Sequence, residues 1–185
     1  MKTALATLES ISPYSQSKQH DMPKKEQELP RDYDIRTWRE RAHFDDEGNC
    51  FIPPMAFKTC LSEAAKFLGK KIPGQRNATW TKHYEAGVMV LETVKLGVKK
   101  DDMGFEDLSL SPTGKRGQMG VMKRMPLFQR WSAKVPFNII DDCITESSFR
   151  ETLDVAGQLI GIGRFRPRNG GYYGRFKVLK IEWID

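Results

Sequence analysis

Spacing of apolar positions divides the chain into short periodic segments separated by long polar or glycine- and proline-bearing stretches. Residues 3–10 are β-compatible and free of turn formers, and Ser12 with Pro13 ends them, which predicts a first strand. After Pro53 and Pro54, Ala56, Cys60, Leu61, Ala64, Ala65 and Leu68 keep a helical period, and Gly69 supplies a stop. Residues 87–96 predict a second strand, apolar on both faces at its start and closed by Gly97. A third strand over 132–140 alternates Ala133, Val135, Phe137 and Ile139, and Pro136 argues for an edge position or a bulge. Thr145 suits the cap of a second helix whose Phe149, Leu153, Ala156 and Ile160 share a face, with Gly161 and Gly163 ending it. In the final strand, 175–184, the apolar positions change phase between Val178 and Leu179, which predicts a bulge.

Between these segments the pattern is weaker. Residues 12–31 are polar with prolines at 13, 23 and 30 and read as a long loop. Residues 32–49 mix Tyr33, Ile35, Trp38 and Phe44 with many charges and give no assignment, and 70–82 read as a connection. Residues 98–130 hold no sustained helical period and read as an insertion rather than core, within which 115–130 predict a projecting hairpin. The order strand, helix, strand, strand, helix, strand predicts an α+β, ferredoxin-like (RRM-like) βαββαβ antiparallel sheet with two helices on one face. A length of 185 residues suits a single domain over 1–185, with insertions at about 12–52 and 97–131.

Charge sharpens this picture. The net charge is +6, yet residues 108–140 carry six basic side chains (Lys115, Arg116, Lys123, Arg124, Arg130, Lys134) and no acid. Residues 155–181 carry another six (Arg164, Arg166, Arg168, Arg175, Lys177, Lys180), again with no acid, so the remainder of the chain is net −6. Two acid-free basic segments in an otherwise acidic chain predict a positive surface suited to a phosphate backbone, against the plainer reading of solvated loops. The densest signal is the run 159–176, in which five glycines, four arginines and four aromatics combine close backbone approach, charge and stacking planes. It is no dinucleotide fingerprint, because Arg166 stands three after Gly163 and the run follows a helix.

A basic, aromatic, glycine-rich loop between the second helix and the last strand of a ferredoxin-like unit resembles the repeat-associated mysterious protein (RAMP) superfamily, which includes the backbone subunits of CRISPR effector complexes. The segment 51–58 (Phe-Ile-Pro-Pro-Met-Ala-Phe-Lys) is similar to that family's entry into its first helix, with Lys58 at the matching basic position, although the family's glycines are absent there. The insertion between the second and third strands resembles the hairpin thumb that clamps a guide RNA. The resemblance implies a subunit of antiviral defence, or a small phage-encoded relative, that repeats along a strand. An RRM fits less well, because its aromatic octapeptide belongs on the third strand, where this chain has Ala133, Lys134, Val135, Pro136 and Phe137.

These readings predict a non-enzymatic protein that binds single-stranded RNA or DNA through Lys58, Lys115, Arg116, Lys123, Arg124, Arg130, Arg164, Arg166, Arg168, Tyr172, Tyr173 and Arg175. The expected partners are the strand, further copies of the chain along it, or other subunits of a ribonucleoprotein. One alternative is an assembly protein that mimics a CRISPR backbone subunit and binds a protein; another is an RNA endonuclease using a histidine base or a loop aspartate among Asp32, Asp34, Asp45 and Asp46. Acids beside Arg36, Arg39 and Arg41, however, read as a solvated, self-paired surface. Gly114, Lys115 and Arg116 do not complete a P-loop, since Ser109 and Arg116 replace its first glycine and its hydroxyl residue. No cofactor or metal is expected, because His20, His43, His83 and the three cysteines lack paired ligand spacing. The longest aliphatic run is 88–91, and no apolar stretch of signal-peptide length opens the chain. With three widely spaced cysteines, these features predict no membrane association and a cytoplasmic setting.

Overall fold

A computed structural model of the chain describes residues 1–110 and 120–184. Its main sheet has four strands in the order β4 (Val88–Met89), β8 (Ser132–Ile139), β1 (Lys2–Ser10), β9 (Phe176–Ile184), all neighbours antiparallel. Alternation sets the faces. Ala4, Ala6 and Leu8 of β1, Val135, Phe137 and Ile139 of β8, and Phe176 and Val178 of β9 are all buried. Against them pack α2 (Pro54–Leu68) and α4 (Glu146–Val155), with the Phe57 ring 6.5 Å from Phe137 and 6.1 Å from Phe176, and Phe149 5.4 Å from Phe137. The protein is thus mixed α+β with antiparallel sheets. Among the described residues no helix is long and apolar enough to cross a membrane.

The periodic segments fall where their spacing places them. Gly69 closes α2 at a left-handed φ of 56°, and the Thr145 hydroxyl caps α4 by accepting from Ser148 N at 3.2 Å. The register of β9 against β1 jumps from Lys180 opposite Thr7 to Val178 opposite Leu8, so Leu179 is the extra residue of the anticipated bulge. β8 is an interior strand, but β4 pairs only with Asn138 and Ile139, so Pro136, opposite Leu5 of β1, has no ladder partner in β4, as the edge expectation for this proline requires.

Other segments differ. The expected strand over 87–96 splits: Gly87 ends α3 (Trp80–Gly87), β4 covers only two residues, and Leu91 is exposed. The chain then re-forms as β5 (Val94–Lys99), which pairs with β3 (Asn49–Ile52) in a separate two-stranded sheet. Gly97 lies inside β5 at φ 69° rather than closing it, beside the register shift between the two strands. The connection expected over 70–82 runs only to Thr79, where α3 begins, with Trp80, Tyr84 and Gly87 buried on one stripe. The unassigned stretch carries α1 (Pro30–Thr37), opened by its own proline, and a following 3-10 turn over Trp38–Arg41.

The predicted insertion contains a hairpin longer than its sequence suggests. β6 (Gly104–Leu110) and β7 (Val121–Phe128) pair, and β7 also takes β2 (Tyr14–Ser15) on its other edge. Its base is core rather than projection: Met125, Leu127 and Phe128 are buried, and the Phe128 ring stacks on Tyr14 at 6.0 Å. The predicted contacts Lys115 and Arg116 lie outside the described residues.

Candidate nucleic-acid interface

After α4 the chain continues through a π-helical turn (Ala156–Ile160), and then residues 161–174 fold back on themselves before entering β9. Ile162 N donates to Gly174 O, Tyr173 N to Phe165 O and Gly171 N to Arg166 O, each at 3.0 Å. Two more bonds pin this loop to β2 and the link before it: Gly174 N donates to Pro13 O at 2.7 Å and Arg164 N to Ser15 O at 2.9 Å. Gly163 makes the docking possible. Its φ is +76°, and a Cβ there would lie 2.4 Å from both Ser15 O and the Tyr14 ring. Phe165, which is not glycine, is held at φ 49°, a strain of order 1–3 kcal/mol sustained by the surrounding bonds.

The docked loop forms one wall of a cleft of about 540 Å³ that Lys18, His43, Arg164 and Arg166 share with Gln16 and Thr59, and no Asp or Glu is among its lining residues. Gln16 organises the far wall: its amide donates to Phe51 O at 2.7 Å and its carbonyl accepts from His43 N at 2.6 Å. Burial holds the His43 imidazole below its ordinary pKa, and the charge of Lys18 acts in the same direction. The imidazole is therefore largely neutral at about pH 7. Arg164 stacks its guanidinium over the Phe165 ring at 4.2 Å. Its Nη1 is buried with no hydrogen-bond partner among the described residues. Burial, followed by the like charge of Arg41, lowers its pKa, yet a guanidinium stays protonated. A buried donor without a partner, on a residue that lines a cationic cleft, is a hydrogen-bonding capacity that an ordered water or an entering acceptor satisfies.

The other anticipated residues are placed unevenly around this cleft. Arg166 reaches it while bound to Glu63 at 2.7 Å, and Arg168 lies 3.9 Å from the same carboxylate. Tyr172 is exposed with its ring edge-on to Tyr173 at 5.6 Å, whereas the Tyr173 hydroxyl donates to Glu106 on β6. Arg175 Nε donates to Gln158 O at 3.0 Å. On β7, Lys123 sits 3.5 Å from Asp34, and Arg124 forks onto Asp107 through two 2.8 Å bonds while covering the Phe105 ring at 3.9 Å. Arg130 is exposed in a wider depression of about 950 Å³ that also contains Glu9 and Lys95, a mixed-charge lining. Lys58 turns inward: its Nζ donates to Tyr84 O and Glu85 O at 2.7 Å and to Ser62 Oγ at 2.9 Å, closing the end of α3.

Sequence spacing brings Arg164 and Arg166 forward but not Lys18, Gln16 or His43. The first two sit in a polar segment without periodicity. His43 is tied to β3 by Phe51 N donating to its carbonyl at 3.0 Å, a pairing that no local pattern announces. A second constellation, His83, Asp141 and Cys143, gathers where α3 meets the turn after β8. No protein-family model matches the chain, and no curated protein matches its sequence.

Proposed function

We propose that the protein binds single-stranded nucleic acid without processing it, RNA ahead of DNA, with the cleft beneath the glycine-rich loop as the phosphate site. The observation that carries this reading is Arg164, which lines, with Lys18 and Arg166, a cleft that has no acid among its lining residues, and whose buried Nη1 has no partner among the described residues. Phosphate oxygens supply the acceptor that Arg164 lacks and a counter-charge for the cleft's cations. Tyr172, exposed at the loop's outer end, offers a ring for a base. In this reading β9-β1-β8-β4 is a ferredoxin-like sheet, and the β6–β7 hairpin is the thumb of a RAMP-like backbone subunit. Copies assemble along the strand, or join other subunits of a ribonucleoprotein. Lys123, Arg124 and Lys58, engaged inside the chain, hold the scaffold and contribute less than Arg164 to the strand.

His43 favours a second reading, RNA cleavage. A neutral imidazole in a cationic cleft is suited to accept a proton from a ribose 2′-hydroxyl, with the neighbouring cations holding the phosphodiester. One purified sample separates the readings, including the alternative that this face meets an acidic protein. Bound nucleic acid raises the ratio of absorbance at 260 to 280 nm until a high-salt wash. Labelled RNA then remains intact for a binder and is cut by an endonuclease, in which case His43→Ala abolishes the cutting. A low ratio with no retention of labelled RNA supports the protein-binding alternative.

A further inference from the structure

We propose that His83, Asp141 and Cys143 form a binding site for a single zinc ion that fastens α3 to the turn leading from β8 into α4. One nitrogen, one carboxylate oxygen and one sulfur, from positions up to 60 residues apart, lie within 4.8 Å of one another. Zinc takes such donors at about 2.0 to 2.3 Å, so tetrahedral ligands stand about 3.5 Å apart. Zinc binding draws Cys143, at the surface, inward and opens the 2.6 Å contact between His83 and Asp141 to about 3.5 Å, both side-chain movements. Soft thiol and imidazole donors beside one carboxylate select zinc over magnesium or calcium.

The surrounding backbone holds the donors in place. Asp141 Oδ1 accepts from Cys143 N at 2.9 Å, which leaves Oδ2 directed at His83 Nδ1, 2.6 Å away. Ile140 N donates to Gly87 O at 2.9 Å, tying the end of β8 to the end of α3. Gly87 also gives Asp141 its room, because a Cβ there would lie 2.3 Å from the Asp141 Cβ. The Trp80 ring packs edge-on against the imidazole at 6.2 Å and restrains it. Beside the donors is an open hollow of about 470 Å³, lined in part by Asp142 and Cys143, which leaves room for a fourth ligand, water or the Asp142 carboxylate. The proton balance is simple. The imidazole proton facing Asp141 moves from Nδ1 to Nε2, and the thiol proton is released to solvent, so one proton leaves per zinc bound by the neutral imidazole.

Titration of the full-length, metal-free protein with Co²⁺ tests this site directly. At one equivalent, the wild type gains a thiolate-to-cobalt charge-transfer band and the visible bands of tetrahedral cobalt, and Zn²⁺ removes both. Cys143→Ser, a surface change that leaves the core intact, loses the charge-transfer band. His83→Ala weakens binding by more than the roughly 10- to 100-fold that loss of an outer hydrogen bond costs. Cys50 and Cys60 are buried and do not substitute. Absence of the band in the wild type at several equivalents overturns the proposal, as does its persistence in Cys143→Ser.

Discussion

At Asp34 a carboxylate with 3% exposure accepts from Arg41 Nη2 at 2.6 Å and from Arg124 N at 2.7 Å, while Arg41 Nη1 donates to Arg124 O at 2.7 Å. Burial pushes its pKa up, but these hydrogen bonds, from Arg41 first, outweigh burial and leave the group below the ordinary carboxylate range. Because the folded pKa is depressed, the stabilisation is present above the unfolded value of about 3.9 and is lost as pH falls through the folded one. Asp34→Asn strands a buried Arg41, and urea denaturation at neutral pH is expected to show a loss of about 3–5 kcal/mol. The variant's stability also falls less steeply than the wild type's on acidification below about pH 4. Sequence spacing marks the acids beside Arg39 and Arg41 as self-paired, and for Asp34 the pairing holds. The solvated surface does not, because burial of Asp34 arises from β7, 90 residues away in sequence, and no local pattern encodes that.

The glycine-rich loop is both connector and contact element, and its two tyrosines divide these roles. Tyr173 is joined to Glu106 of β6, whereas Tyr172 is 59% exposed. Tyr172→Ala is therefore expected to weaken strand binding by roughly 1 to 3 kcal/mol with an unchanged melting temperature. Tyr173→Phe lowers the melting temperature and leaves direct base stacking in place; calorimetry beside anisotropy titration separates the two. Elements with sustained periodicity were legible: α2, α4, β8 and even the bulge at Leu179 follow from the spacing of apolar residues, and β1 from β-compatible residues that Ser12 and Pro13 end. Short elements were not. β2 and β4 have two residues each and α1 and α3 eight, too few turns or alternations for a period to emerge before tertiary contacts form.

Across the molecule, the basic segments do not add up to one bare positive face. Arg124, Lys123, Arg166 and Lys177 each have a carboxylate within 4 Å, supplied by Asp107, Asp34, Glu63 and Glu9. The chain's acidic remainder folds back onto its basic segments, which charge counting along the sequence could not show. The Arg164 cleft, with no acid among its lining residues, carries the binding account. Its most direct test is the salt dependence of affinity for labelled single-stranded RNA, compared between the wild type and the triple variant Arg164→Ala, Arg166→Ala, Arg168→Ala. Each lost phosphate contact lowers the slope of log affinity against log salt by about 0.7, so the account predicts a slope shallower by about 0.7 to 2 with a cooperative melt retained. An unchanged slope and affinity in the folded triple variant would contradict it.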